Sequence, residues 1–141
     1  MTTQRTNMKT AIEKILAVHQ QLDAFRANDH YSVKIASEGF MPLSIEKHDK
    51  HIMVTHYFEQ NGDLVPDPDV EFVDLGGDDW LPIAIQHSTG LYCKAAEQAA
   101  SGNWLISKRA MADLKSFVRM WARNLLAQGF ARGTLVRAEA G

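Results

Sequence analysis

The run from His56 to Phe72 constrains the fold of this chain most, because Asn61-Gly62 sits between two β-prone stretches and leaves little freedom in how they pair. A two-residue hairpin loop favours the type I′ turn, in which both central residues take positive φ, and Asn-Gly is the dipeptide that tolerates this best. With that turn, Gln60 faces Asp63 and Phe58 faces Val65. Continued without interruption, the pairing would set Val54 against Asp69 and Ile52 against Glu71, opposing charges to an apolar face. One extra residue at Pro66-Asp67-Pro68 restores Val54 against Val70 and Ile52 against Phe72. Prolines cannot donate ladder hydrogen bonds, so a bulge is expected there on a second ground.

The rest of the chain supplies partners for this hairpin. Met8, Ile12, Ile15, Leu16, His19, Leu22 and Phe25 recur at three- and four-residue steps, which predicts one amphipathic helix over residues 8–26, ended by Asn28-Asp29. His19 falls inside its apolar stripe and reads as a hydrogen-bonded core or interface histidine. Period-two alternation then predicts short strands around Tyr31–Ile35 and Leu43–Lys47, a longer one at 51–59, and another near 80–87, where Pro82 points to an edge. Residues 90–100 are rich in helix formers and predict a short helix, and Trp104–Ile106 a brief extended segment. Met111, Leu114, Phe117, Val118, Trp121 and Leu125 form the stripe of a final helix, with Gly129 where a left-handed residue would end it. The expected fold is α+β: an N-terminal helix, an antiparallel meander of about five strands, and a C-terminal amphipathic helix packed on one sheet face. A chain of 141 residues makes one domain, 1–141, with residues 1–7 expected to be disordered.

Charge is unevenly spread. Residues 58–103 hold one lysine against nine acids, whereas 104–141 hold seven bases against two acids. The acidic segment centres on the hairpin, which makes His56, Glu59, Asn61, Asp63, Asp67 and Asp69 the candidate binding residues. Lys108, Lys115, Arg119 and Arg123 share the outer face of the last helix and form a second, basic candidate surface for nucleic acid. No phosphate loop, dinucleotide fingerprint, zinc-protease helix or nucleophile elbow is present, so no catalytic residue is assigned. A metal-dependent enzyme or hydrolase would have to be built from His56, Glu59, Asp63 and Asp67; the spacing lacks the alternation of a calcium loop, and neither metal nor cofactor is expected. His48 and His51 are acceptable ligand types without a third partner in sequence. Cys93 lies among small residues and reads as a buried or half-buried thiol. A single cysteine, no apolar run near the roughly 20 residues of a membrane helix, and no apolar leader predict a soluble, cytoplasmic protein.

The hairpin resembles that of an uncharacterised domain family of bacteria, their plasmids and their phages, whose pattern runs approximately His-Tyr-Tyr-Glu-Gln-Asn-Gly-Asp-Leu-x-x-Asp-Pro-Glu-x-x-Phe. Here it reads His56, Tyr57, Phe58, Glu59, Gln60, Asn61, Gly62, Asp63, Leu64, Asp67, Pro68, Asp69 and Phe72, with Phe58 for a tyrosine and Asp69 for a glutamate. The likeness resumes at Trp80 and Pro82 and at Leu114 to Phe117, Trp121, Asn124, Leu125, Gln128, Gly129 and Phe130. It carries over no activity. It implies a small accessory protein of mobile elements, among which binding roles outnumber catalysis.

Overall fold

The structure, a computed structural model, describes residues 6–141, except for the side chains of Glu59, Leu64 and Pro66. Of the seven residues expected to be disordered, the first five lie outside the described residues, and Asn7 caps the first helix by accepting the Thr10 amide at 2.8 Å. The helices are α1 (Met8–Val18), α2 (Leu22–Ala27) and α3 (Lys108–Ala127). Strands β1 (His30–Ala36), β2 (Leu43–His48), β3 (His51–Gln60), β4 (Asp63–Val73), β5 (Leu81–Gln86) and β6 (Tyr92–Lys94) form a meander, and β7 (Ala96–Gln98) pairs with β8 (Trp104–Ile106). The last strand, β9 (Thr134–Ala140), returns to the other side of β1, so the main sheet has seven strands in the order β6-β5-β4-β3-β2-β1-β9. The α+β class stands, with an N-terminal helix, a large antiparallel sheet and α3 packed against it; the expected number of strands was too small.

Three differences from the sequence reading have identifiable causes. The single helix over 8–26 is two helices, because Gln20 takes φ 60° and closes α1 in a Schellman motif: its amide bonds to Ala17 O at 3.1 Å and that of Gln21 to Leu16 O at 2.7 Å. Glutamine in the place usually held by glycine hides this break from sequence. The junction is held by the Tyr31 hydroxyl, which donates to Gln21 Oε1 at 2.8 Å and whose pKa burial pushes up to about 12, and by the Arg26–Glu13 ion pair at 2.9 Å. Residues 90–100 form β6 and β7 instead of a helix. Local propensity there yields to pairing: Cys93 lies opposite Ile85, the Ala95 amide bonds to Ile83 O at 2.7 Å, and Ala95 and Ala96 are buried. The third difference is β5, which is interior instead of an edge. β6 covers only Ala84–Gln86, so Pro82 lies beyond its reach, beside a register shift at Glu71/Phe72.

The core lies between the helices and one sheet face. Cross-strand rows such as Val33–Ile45–Val54–Val70–Ile85 and Ile35–Leu43–His56 point toward it. α1 covers them with Ile12, Ile15 and Leu16, each completely buried, and α3 with Leu114, Val118, Trp121 and Leu125. Full burial contributes about 1.5–3 kcal/mol for each such aliphatic side chain. Phe25 of α2 meets Tyr31 edge-on at 5.7 Å, while Lys47 runs its stem past that ring to donate to Phe25 O at 2.7 Å. Gly129, at φ 84°, ends α3 as expected from sequence. No helix of the described residues is long and apolar enough to cross a membrane.

Candidate functional site

The β3–β4 hairpin has the turn and register that its sequence requires. Asn61 and Gly62 take φ 53° and 84°, Gln60 faces Asp63, Phe58 faces Val65, and past the irregularity Val54 faces Val70 and Ile52 faces Phe72. Between the Tyr57–Pro66 and Thr55–Asp69 pairs, Asp67 and Pro68 stand opposite His56 alone, which is the one-residue bulge. Its consequence is geometric. β2 pairs with β3 only along His51–His56, and β5 pairs with β4 only along Asp69–Val73, so residues 57–68 project past both neighbours as a two-stranded ribbon.

The candidate acidic residues separate along this ribbon. Asn61 and Asp63 are exposed at the tip, Asp67 is half-buried at the bulge, and the Glu59 side chain lies outside the described residues. Asp69 belongs to the sheet itself. It accepts a hydrogen bond from the Thr55 hydroxyl at 2.9 Å; burial raises its pKa, the Thr55 bond opposes this, and the charges of Glu46 and Glu71 add to it. Tyr57 beside it is likewise raised, by burial and then by the Asp69 and Glu46 charges.

His56 leaves the surface altogether and must be removed from the binding set. It is 6% exposed, its ring lies 5.6 Å from Trp121 and 5.5 Å from Phe130, and its Nδ1–H donates to Pro42 O at 3.2 Å. Desolvation lowers its pKa from 6.5; carbonyl bonds at Pro42 and Met41 and the Asp67 charge pull the other way. The core face of the hairpin claims this residue because period-two alternation puts it in line with Ile52 and Val54. Of the residues of the alternative enzymatic centre, Asp67 lies close enough to His56 to act on its charge, whereas Asp63 stands apart. Asp63 faces Gln60, four residues along the strand from His56, or about 13 Å at the usual rise. Among the described residues no three His, Cys, Asp or Glu side chains gather to hold a metal.

The basic surface is present but partly matched. Lys108, Lys115, Arg119 and Arg123 are all exposed on α3. Lys115 and Arg119 line a cavity of about 310 Å³ together with Asp79, and the acidic loop before β5 is tied to α1 by Asn7 Nδ2 to Asp78 O at 3.2 Å and Lys9 Nζ to Gly77 O at 2.9 Å. Part of the negative segment thus faces part of the positive one. His19 donates Nε2–H to Phe130 O at 2.9 Å, a structural role.

Two clusters escaped the sequence reading. Cys93 is exposed instead of buried, and lines a mainly apolar cavity of about 230 Å³ with His87, Asp113 and Phe117. On the opposite sheet face His30 meets His48, a pairing visible only once β1 and β2 are in register.

The profile of a family described as Domain of unknown function (DUF6908) matches residues 10–131. No curated protein and no solved structure matches the chain.

Proposed function

We propose, for a chain that belongs to the DUF6908 family, a non-enzymatic role in which the projecting β3–β4 ribbon docks on a basic surface of a partner protein. The observation that carries this reading is the projection itself: residues 57–68 extend beyond β2 and β5, which among the described residues leaves strand edges unpaired on both sides and Asp63 exposed at the tip. Unpaired edges offer main-chain hydrogen bonds to an incoming segment, and the acidic tip selects and steers a basic one. Natural proteins usually blunt such edges. Here the bulge and its prolines keep pairing local while leaving the tip clear. The hairpin's resemblance to domains of bacteria, plasmids and phages supports reading the chain as an accessory protein of mobile elements. The basic α3 face is the weaker candidate, because Asp79 shares the cavity of Lys115 and Arg119.

The test is capture from the native host, identified by mass spectrometry, with the parent chain and with Asp63→Lys/Asp67→Lys. A protein held by the parent and lost from the folded double variant supports the reading. Equal capture by both overturns it.

A further inference from the structure

The open face of the sheet carries a row of three histidines at the end opposite the projecting tip. His30 of β1 pairs with His48 of β2, and His48 with His51 of β3, while their neighbours Tyr31 and Ile52 point into the core. His51 is already engaged, its Nδ1–H donating to the Glu71 carboxylate at 2.6 Å. The other two turn toward each other: His30 Nδ1 and His48 Nδ1 are 3.3 Å apart.

Without an ion the two neutral rings share one N–H···N hydrogen bond at the long end of the usual range. Two nitrogens bound at about 2.0–2.1 Å to one tetrahedral zinc ion stand about 3.4 Å apart. The surroundings fit the same chemistry. Glu46 Oε2 lies 3.6 Å from Nε2 of His48, the ring nitrogen left over when Nδ1 ligates, so a small side-chain shift would bring it into the hydrogen bond that orients a ligand imidazole. A shallow cavity of about 320 Å³ opens at the pair, lined by Ser32, Glu46, Glu139 and both histidines. It leaves room for water to complete the coordination.

We infer that His30 and His48 form a two-imidazole site for a late first-row divalent cation such as zinc or copper. Two imidazoles and water suit this class better than magnesium or calcium, which prefer all-oxygen shells. Bound there, the ion ties β1 to β2 at the edge of the face where β9 also pairs. Both histidines are exposed, so substitution leaves the core untouched.

Zinc titrated into the full chain by calorimetry tests the site, with His30→Ala and His48→Ala as the site variants and His51→Ala and Cys93→Ser as controls. One equivalent should bind to the parent and to both controls, at least about tenfold more weakly to either site variant, and more weakly in acid as protons compete for the ligand nitrogens. Absence of zinc binding to the parent overturns the assignment. So does unchanged affinity in His30→Ala or His48→Ala, or loss confined to Cys93→Ser or His51→Ala.

Discussion

The imidazole of His56 packs 5.6 Å from the indole of Trp121, so a titratable side chain of the hairpin is built into the aromatic contact between sheet and last helix. Folding therefore discriminates between its two protonation states. Desolvation holds the folded pKa below 6.5, and the unfolded chain takes up the proton first as pH falls. The contribution of His56 to stability is full above pH 6.5 and is lost as pH falls through the lowered folded value. Asp69 has the opposite sign: its raised pKa favours the fold in acid, and that contribution disappears as pH rises through the folded value. Thermal unfolding of His56→Phe between about pH 7 and pH 5 should show a shallower fall in Tm than the parent. Identical slopes would mean that another group governs the acid response.

Trp121→Ala should cost about 3–5 kcal/mol, the usual loss for truncating a large aromatic in a closed core. The side chain is 5% exposed and packs at a tilt against both His56 and Phe117, so the space left cannot be filled by a rotamer change alone. Chemical denaturation measures the loss directly. A cost below about 1 kcal/mol would show that α3 sits less firmly on the sheet than its burial implies.

Gly133 makes a sharper demand on the backbone. It joins the short 3₁₀ turn after α3 to β9, and a Cβ added there would overlap the Ala36 carbonyl oxygen of β1. Gly133→Ala should destabilise by about 1–3 kcal/mol, with the damage centred on the β1–β9 pairing. Hydrogen exchange should report faster opening of β9 amides with β3 and β4 unaffected. Uniform protection equal to the parent would mean that the turn relaxes at no cost.

Where the sequence could be read, strong local rules decided the outcome. Asn61-Gly62 dictated the turn, and the need to keep Asp69 and Glu71 off the core face dictated the bulge, so the register of β3 on β4 followed from residues alone. The same apolar periodicity located α1 and α3. What escaped depended on distant partners or on an unusual residue in a familiar role: Gln20 closing a helix where glycine is customary, alanines at 95 and 96 drawn into strands by burial, and β9, whose alternation from Val136 to Ala140 rests on small residues and is broken against Leu135 by an irregularity at Val136. The candidate site was legible in part. Asp63 was visible as a tip residue, and alternation with Ile52 and Val54 already put His56 on the core face, whereas its packing against Trp121 and the hydrogen bond of Asp69 with Thr55 required the helix and the neighbouring strand to be in place.

Asn61→Ala separates turn chemistry from surface chemistry. Alanine at φ 53° is disfavoured where asparagine is tolerated, so stability should fall by about 1 kcal/mol. Gly62 beside it has open space around a hypothetical Cβ, so Gly62→Ala would be strained by its backbone alone. Equal Tm for Asn61→Ala and parent would remove the turn as a source of stability.

The charge-reversal prediction depends on leaving Asp69 alone. That residue is half-buried, accepts the Thr55 hydroxyl, and would place an unmatched lysine in the sheet if reversed, so its loss would confuse unfolding with lost recognition. Asp63 and Asp67 lie on the projecting ribbon; reversing exposed Asp63 should change stability by no more than about 0.5 kcal/mol, and reversing half-buried Asp67 should cost about 1 kcal/mol, which leaves the fold intact. If the ribbon steers a basic partner, the parent's association rate should fall as salt rises, since exposed charges are screened beyond about 10 Å at 0.1 M. Asp63→Lys/Asp67→Lys should associate more slowly at low salt and lose or invert that dependence, whereas Lys115→Glu/Arg119→Glu on α3 should leave both rate and salt dependence as they are. Stopped-flow association with the captured partner, measured over a salt series, checks all three chains. An acidic-tip variant matching the parent at every salt concentration, with the α3 variant slowed, would move recognition from the hairpin to the helix.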